Sequence, residues 1–172
     1  NMQTIIECRG VFFSYGAGEI LKDINLSLGK GRMLGILGAN GAGKSTLLKV
    51  LMGILKAQKG SVLFNGKPLQ SYDRREIAKR IAYIPQDPVF AFPFTVSEVI
   101  LMGRAPYIGR FEFEREIDLE AAERAMETVG ISHLRDRLIT ETSSGERQLA
   151  SIARALVQEP QVMILDEPAT FL

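Results

Sequence analysis

The sequence has little cysteine, no excess of charge of either sign and no long apolar run. A single cysteine, Cys8, among 172 residues excludes an internal disulfide and suits a reducing compartment. The 21 basic and 20 acidic residues leave a net charge of +1, so nothing in the charge balance points to nucleic-acid binding. No apolar run reaches the length of a membrane span, and we expect no signal peptide ahead of the domain. We therefore expect any membrane role to be peripheral.

The remaining composition is that of an ordinary globular protein, with 46% hydrophobic and 24% charged residues. A chain of this length can form one domain with its own core and an inserted subdomain.

A glycine-rich stretch with a Lys-Ser pair stands between an apolar run, Met33–Leu37, and a helix-forming run, Leu47–Met52. This order predicts a buried parallel strand, a phosphate-binding loop and a helix. The glycines let successive backbone N–H groups converge on phosphate oxygens, and the helix adds its positive dipole end. The candidate loop residues are Gly38, Ala39, Asn40, Gly41, Ala42, Gly43, Lys44, Ser45 and Thr46.

Two side chains of this loop have specific predicted roles. We expect Lys44 to reach the β- and γ-phosphates of a nucleoside triphosphate and the Ser45 hydroxyl to hold Mg²⁺. The alternative is a glycine-rich turn with an incidental Lys-Ser pair. The complete spacing and both flanks favour the phosphate loop.

The residues ahead of the loop predict an antiparallel β flap. Thr4–Tyr15 is rich in β-branched and aromatic residues, and Ile20–Leu28 alternates apolar and polar positions. Tyr15 ends the first strand, where two interpretations are open. Its ring packs at the edge of the sheet, or it stacks on adenine.

The residues after the loop predict a strand at Gly60–Phe64 followed by an Asn-Gly turn, a surface helix at Asp73–Arg80 and a buried strand at Ile81–Ile84. Gln86 follows the buried strand, at the end where open α/β sheets place ligand contacts. A solvent-exposed loop glutamine is the alternative. Because a phosphate loop is present, we favour a γ-phosphate or Mg²⁺ sensor.

Helical patterns replace strands between about Asp87 and Ile139. We predict a short helix at Thr95–Met102 and an amphipathic helix at Ile117–Val129. The expected apolar face of the second helix comprises Leu119, Ala122, Ala125, Met126 and Val129. The aromatic residues of this subdomain form either its core or a docking surface for a partner; they include Phe90, Phe92, Phe94 and Tyr107. His133 lacks metal-ligand neighbours in the sequence and is read as structural.

The stretch Thr142–Gln148 opens the next predicted helix, which runs to about Val157. Ser143 and Glu146 have the spacing of a capping box. A Ser- and Gly-rich helix start is also an anion site, and the local sequence does not choose between these roles.

The apolar strand Gln161–Leu165 ends at two adjacent carboxylates, Asp166 and Glu167. Such a pair is costly at a buried strand end unless it serves charge or water chemistry. Given the phosphate loop, we expect Asp166 to hold Mg²⁺ through water and Glu167 to position and polarise the attacking water. Solvated acids that merely cap the strand are the alternative.

Together these motifs resemble the ATP-binding subunit of an ATP-binding-cassette transporter over essentially the whole chain. The glycine-rich loop resembles the Walker A motif, Val162–Glu167 resembles Walker B with its catalytic glutamate, and Gln86 resembles the Q-loop glutamine. Tyr15 occupies the position of the aromatic residue that stacks on adenine in this family. Thr142–Gln148 resembles the signature motif, which separates this family from other P-loop ATPases.

The resemblance implies an α/β fold, a P-loop NTPase core with a mostly parallel sheet, an N-terminal antiparallel β flap and an inserted helical subdomain. It implies ATP and Mg²⁺ as cofactors. The implied catalytic residues are Lys44, Gln86 and Glu167, and the implied metal ligands are Ser45, Gln86 and Asp166. In the family, the signature motif contacts the γ-phosphate held by the opposing protomer. Ser143, Gly145 and Glu146 are therefore expected to act in trans within a head-to-tail homodimer.

The chain departs from the family pattern in two ways. Thr142 stands where the signature usually has leucine, and Ser144 stands where it usually has glycine. Because a side chain at Ser144 hinders close approach of the backbone, we expect less efficient closure of the dimer. The sequence also stops before the D-loop aspartate and the switch-histidine strand. We expect a truncated cassette that binds ATP weakly at best and hydrolyses it poorly.

The expected domain organisation has three parts. Residues 1–86 form the β flap and the first part of the ATPase core, residues 87–141 form the permease-docking helical subdomain, and residues 142–172 form the signature helix and the Walker B strand.

A finer resemblance, carried by Phe94–Val99 and Met102–Tyr107, is to importers of ferric siderophores, haem and cobalamin, with metal-ion importers as close relatives. It implies a transmembrane permease as partner, indirectly a substrate-binding protein, and a peripheral location at the cytoplasmic face of the cell membrane; no nucleic-acid partner is implied. The alternatives are a soluble cassette protein without a permease and a fragment that binds nucleotide without turnover.

Overall fold

Two long strands begin the fold, which a computed structural model describes over residues 3–16, 18–109 and 111–166. Between Ile77 and Ala78 the chain divides into two units, each with its own internal packing. The glycine-rich loop lies in the first unit. Gln86 and the stretches that resemble the signature and Walker B belong to the second unit.

The first unit is built on a four-stranded antiparallel sheet. Strands β1 (Thr4–Tyr15) and β2 (Gly18–Gly29) pair as the sequence predicts. Strand β3 (Lys59–Phe64) pairs with the other edge of β1, and β4 (Lys67–Pro68) continues the sheet in the order β2-β1-β3-β4. The apolar side chains that this sheet buries include Ile6, Cys8, Val11, Val62 and Phe64.

Two glycines allow β3 to take its place in the sheet. Asn65 and Gly66 both have positive φ, 48° and 75°, as a tight hairpin turn between β3 and β4 requires. Gly60 has φ of +78°, and a Cβ there would lie 2.1 Å from the Gly10 carbonyl oxygen. Only glycine permits the backbones of β1 and β3 to approach so closely.

The prediction of a buried strand at Met33–Leu37 is wrong for this structure. Residues 32–39 form neither strand nor helix, and the side chains of Met33 and Leu37 are 98% and 96% exposed. A parallel strand is held by hydrogen bonds to its neighbours and by layers packed on both faces. None of the described residues pairs with this segment in a sheet, so its apolar composition does not make it a strand.

The predicted helix after the loop is present as α1 (Lys44–Leu51). Its buried residues are Leu47, Leu48, Val50 and Leu51. These side chains fix the start of the helix, and therefore the end of the loop, against the interior of the first unit.

The second unit contains a two-stranded parallel sheet. Helix α2 (Arg74–Arg80), which spans the division between the units, leads into strand β5 (Ile81–Ile84). Strand β5 pairs in parallel with β6 (Val162–Leu165), with Ile81 opposite Val162. In the residues that the structure describes, the mostly parallel core sheet expected from the sequence is represented by these two strands.

Three helices form the main core of the second unit: α3 (Val96–Leu101), α4 (Glu116–Val129) and α5 (Ser144–Leu156). Their buried side chains include Val96, Val99, Ile100, Ala122, Met126, Ala150 and Ala153, together with Ile139 from the connection before α5. Helix α5 also packs against β5 and β6 through Ile152 and Ala155. It is therefore shared between the helical core and the parallel sheet.

One residue of the predicted α4 face is misplaced. Leu119 is exposed, whereas Ala121 and Asp118 are buried beside the expected Ala122, Ala125 and Met126. The buried stripe of α4 is thus displaced toward small residues because α5 packs closely against it. No helix among the described residues is long and apolar enough to span a membrane.

Candidate functional site

The glycine-rich loop is wound tightly ahead of α1. The Ala42 N–H donates a hydrogen bond to the Ala39 carbonyl over 3.1 Å, and Gly41 and Gly43 have φ of 81° and 87°. A side chain would strain both positions. Glycine is therefore required at positions 41 and 43 because the loop backbone adopts positive φ there.

Gly43 also fixes the loop against β2. A Cβ at this position would lie 2.9 Å from Ile20 Cγ2 and 3.1 Å from the Ile20 carbonyl oxygen. The absent side chain lets the start of α1 rest directly on the strand.

Lys44 turns back over the loop that precedes it. Its Nζ donates to the Gly38 carbonyl over 2.7 Å and to the Ala39 carbonyl over 3.1 Å. The ammonium is thus held within the loop, at the start of a helix with no acidic residue in its first turn. Positive charge and a helix N-terminus coincide, which is the field that an anionic phosphate requires.

Ser45 follows Lys44 on the first turn of α1 and is exposed. Thr46 is half-buried one position further on. The Ser45 hydroxyl is an oxygen ligand of the kind that Mg²⁺ accepts.

Tyr15 lies at the end of β1, and its side chain is 53% exposed. The ring meets Phe13 edge-on, with centroids 4.9 Å apart and an interplanar angle of 82°. Edge packing at the sheet end is therefore present, and stacking on adenine remains a prediction.

The parallel strands of the second unit carry the next candidate residues at one edge. Because β5 and β6 run in parallel, the residues that follow them, Gln86 and Asp166, leave the sheet at the same edge. Gln86 is exposed and Asp166 is half-buried. The Asp166 N–H donates to the Ile84 carbonyl over 3.0 Å, which holds the carboxylate at the strand end. Glu167 lies outside the described residues.

Sequence reasoning missed a partner of Asp166. The Tyr83 hydroxyl on β5 donates to Asp166 Oδ2 over 3.1 Å. Partial burial, the Asp166 charge and this hydrogen bond together raise the pKa of Tyr83, so it stays a donor at neutral pH. The sequence signal for this contact was a tyrosine in an otherwise aliphatic strand. The partner of Tyr83 depends on the register between β5 and β6, which local sequence does not give.

The start of α5 has the predicted capping box. The Ser143 Oγ accepts from the Glu146 N–H over 3.2 Å, and Glu146 Oε2 accepts from the Ser143 N–H over 2.7 Å. The hydrogen bonds from Ser143 lower the pKa of Glu146. A structural role for both residues is therefore present, and their action in trans stays a prediction.

The two unusual residues of this stretch differ in environment. Thr142 is buried, and its hydroxyl donates to the Ile139 carbonyl over 2.7 Å, so the polar group that replaces the family's leucine is satisfied. Ser144 is exposed in the first turn of α5, and an added Cβ at the neighbouring Gly145 would meet no atom within 4 Å. The first turn of α5 is therefore exposed to solvent at Ser144 and Gly145.

The oxygen donors predicted for a metal are of the type that suits Mg²⁺: the Ser45 hydroxyl, the Gln86 amide and the Asp166 carboxylate. Within the described residues there is no cluster of three or more His, Cys, Asp or Glu side chains that would form a cage by itself. That donor set fits Mg²⁺, which is bound through few protein ligands together with water and substrate phosphates. His133 is exposed and belongs to no such cluster among these residues.

Comparison with known proteins places these motifs in a family. The model of the family described as "ABC transporter" matches residues 21–170. The chain is 39% identical over 175 residues to the hemin import ATP-binding protein HmuV of Gloeobacter violaceus, covering 98% of this chain and 63% of that protein. It is 38% identical over 158 residues to the probable siderophore transport system ATP-binding protein YusV of Bacillus subtilis, covering 92% and 58%.

The fold is similar to a solved structure as well. That of cbiO1 from Clostridium perfringens, part of the ABC transporter complex cbiONQ, superposes with a TM-score of 0.85 and 33% identity. The match covers 99% of this chain and 68% of that one. The chain spans from 38% to 65% of the length of the curated relatives that it matches.

The family match covers most of the sequence and includes both the glycine-rich loop and the α5 stretch, and the α/β fold with its antiparallel flap agrees with it. The chain therefore belongs to the ABC transporter family and is similar to its ATP-binding subunits.

Proposed function

We propose that the protein carrying this chain binds and hydrolyses ATP to energise the import of a solute through a membrane permease. The observation that carries the proposal is the loop at 38–46, in which Lys44 is held over glycine-rich backbone at the start of α1. That arrangement concentrates positive charge and N–H donors where the β- and γ-phosphates of ATP would lie.

The proposed chemistry is positioning and charge stabilisation. Lys44 and the loop N–H groups bind the phosphates, and Tyr15 stacks on the adenine. Ser45, Gln86 and Asp166 would hold Mg²⁺, which would supply neutralisation of the phosphate charge. Glu167 orients the attacking water and accepts its proton.

We further propose that the working form is a head-to-tail pair of cassettes. Each P-loop then faces the Ser143, Gly145 and Glu146 stretch of the second copy. The exposed start of α5 supports this proposal because its N-terminal turn is open to an anion held by another molecule. The capping box keeps that turn in place.

The helical subdomain is the proposed permease-docking region. Phe92 and Phe94 are exposed side by side, with ring centroids 6.0 Å apart. The second unit also contains a cleft of about 390 Å³. Its lining includes Met102, Pro106, Arg154 and Gln158. Exposed aromatic pairs and surface clefts are each features of protein contact surfaces.

The proposed solute is a metal chelate, such as a ferric siderophore, haem or cobalamin, or a metal ion. The names of the hemin and siderophore relatives support this class. The corresponding location is the cytoplasmic face of the cell membrane, where the cassette meets its permease.

The test of the nucleotide site is Lys44→Ala in the protein that carries this chain. We expect the affinity for Mg²⁺-ATP, measured by titration with a fluorescent ATP analogue, to fall by about tenfold or more because a charge-assisted phosphate contact is lost. The matched control is Lys49→Ala, an exposed lysine in the last turn of the same helix. Equal affinities for wild type and Lys44→Ala would refute the site.

The test of turnover is Glu167→Gln in the same protein. The amide cannot accept a proton, so we expect ATP binding to persist, phosphate release to fall by about a hundredfold or more, and an ATP-bound dimer to accumulate. Size-exclusion chromatography with ATP and a phosphate-release assay measure these effects. A variant that hydrolyses ATP at the wild-type rate would remove Glu167 from the mechanism.

A further inference from the structure

A buried arginine lies inside the segment Met102–Tyr107, which forms part of the proposed permease-docking region. Arg104 is only 4% exposed, and its partner Asp118, at the start of α4, is fully buried. The Arg104 Nε donates to Asp118 Oδ1 over 2.9 Å. A buried ion pair is retained in a fold only where its geometry and hydrogen bonds compensate for desolvation.

Asp118 is held from a second side. Its Oδ2 accepts from the Arg115 N–H over 3.0 Å and from Arg115 Nε over 3.3 Å. Burial alone would raise the pKa of Asp118, but the hydrogen bonds from Arg115 and Arg104 lower it, so the carboxylate is charged. Asp118 therefore ties the first turn of α4 to Arg104.

Arg104 also reaches the turn that connects α5 to β6. Its Nη1 donates to the Val157 carbonyl over 3.1 Å and to Glu159 Oε2 over 3.2 Å. Val157 is the C-cap of α5, so the guanidinium meets the negative end of that helix. Glu159 has φ of +51°, an uncommon backbone conformation for a residue with a side chain, and Arg104 binds it there.

Further contacts join the same segment to this turn and to α5 itself. The Tyr107 hydroxyl donates to the Gln158 carbonyl over 2.9 Å, and its ring lies 3.9 Å from the Arg104 guanidinium carbon. At Gly103 the backbone approaches α5 so closely that a Cβ would lie 2.2 Å from the Arg154 carbonyl oxygen. The segment is thus attached to α5 at several successive positions.

We propose that Arg104 is a positioning residue: it clamps the docking segment, Met102–Tyr107, to the start of α4 and to the 157–159 turn, so that all three move as one body. Helix α5 has 13 residues and is about 20 Å long, with the signature stretch at one end and this clamp at the other. Movement of the signature stretch is then transmitted along α5 to the docking segment. The transmission part of this proposal rests on the proposed function; the clamp itself does not.

The first experiment measures amide hydrogen exchange in the chain without nucleotide. The Tyr107 N–H donates to the Arg104 carbonyl and the Glu159 N–H donates to the Leu156 carbonyl, so both amides report on the clamp. We expect Arg104→Met to accelerate exchange at both by about tenfold or more. Arg104→Lys, which keeps the charge near Val157 but lacks the guanidinium fork, should lie between wild type and Arg104→Met.

The control is Arg124→Met, which removes an exposed arginine that pairs with Glu120 on the surface of α4. It should leave both amides unchanged. If Arg104→Met does not fold, Tyr107→Phe removes only the bond to Gln158 and should accelerate exchange at both amides to a smaller extent. Exchange that is unchanged in every folded Arg104 and Tyr107 variant would overturn the clamp.

The second experiment uses the assembled transporter and compares solute moved per ATP hydrolysed. Arg104→Met should lower this ratio by about tenfold or more, while nucleotide affinity and the ATPase rate of the isolated subunit stay at wild-type values. Arg104→Lys should restore part of the ratio. If Arg104→Met accelerates amide exchange but leaves the solute moved per ATP unchanged, Arg104 has no role in transmitting movement to the permease. A wild-type protein that neither binds nor hydrolyses ATP would instead refute the proposed function, and the exchange experiment would still decide the clamp.

Discussion

Gly103→Ala tests the close contact between the docking segment and α5. Gly103 lies in the 3₁₀ turn Met102–Arg104, and a Cβ there would lie 2.2 Å from the Arg154 carbonyl oxygen and 2.5 Å from Val157 Cγ1. Ordinary van der Waals contact for a Cβ begins at 3.4 Å. The turn must therefore move away from α5 by roughly 1 Å, since one of the two obstacles is backbone.

The cost has two parts. Overpacking a well-packed interior costs about 1–3 kcal/mol. The same displacement stretches the buried hydrogen bonds of Arg104 to Asp118 and Val157, and a charge-assisted bond contributes about 1.5–3 kcal/mol. Alanine restricts the unfolded chain and returns about 0.4–1 kcal/mol. We expect the free energy of unfolding to fall by about 3 kcal/mol.

The assay is urea unfolding followed by circular dichroism in the helix band, because the two longest helices, α4 and α5, lie in the second unit. With a slope of about 2 kcal/mol per molar urea, the midpoint should fall by about 1–2 M. The slope itself should not change, since the variant alters packing and not the surface exposed on unfolding.

The matched control is Gly145→Ala. A Cβ at Gly145 meets nothing within 4 Å, and the residue lies in the first turn of α5. Alanine there should leave stability unchanged or raise it by up to about 1 kcal/mol. A free energy of unfolding for Gly103→Ala within about 0.5 kcal/mol of wild type, or equal changes in the two variants, would contradict the close contact at Gly103.

Two further predictions concern the interiors of the two units. Burial raises the pKa of Cys8 from 9.0 to about 11. At about pH 8 a disulfide reagent should therefore label Cys8 at least about a hundredfold more slowly in the folded chain than in denaturant. Comparable labelling rates would contradict the burial of Cys8. The unfolded chain ionises Cys8 first, so its contribution to stability should be complete below about pH 9 and be lost as the pH rises to about 11. Ile139→Ala in the helical core should cost about 2–5 kcal/mol in urea unfolding, whereas Ile117→Ala, at a position 55% exposed, should cost less than about 1 kcal/mol; equal losses would show that the core is not packed as described.

Local patterns predicted most of the elements. β5 is a short, mostly aliphatic run that ends at a proline, and α5 begins at a capping box. Both elements appear where these signals place them. The turn at Asn65 and Gly66 follows from the same kind of local chemistry, because few other residue pairs accept positive φ twice. These features depend on residues within a few positions of one another.

The features that sequence reasoning missed depend on partners far along the chain. Met33–Leu37 has the composition of a buried strand, but a strand requires neighbours that composition does not supply. Tyr83 and Asp166 meet across 83 residues and Arg104 and Asp118 across 14, through strand register and helix packing respectively. Leu119 fits the apolar period of α4 and is nevertheless exposed, because the face that the helix buries carries Asp118, Ala121, Ala122, Ala125 and Met126.

The pairing of β5 with β6 has a consequence for how the chain is made. Tyr83 and Asp166 are 83 residues apart, so during synthesis β5 leaves the ribosome long before its partner strand exists. At about 5–20 residues per second the delay is roughly 4–17 s, whereas a hairpin such as β1–β2 forms within about 10 μs. For those seconds β5 lacks β6, the strand with which it pairs among the described residues, and in that interval a nascent-chain chaperone would protect its exposed edge.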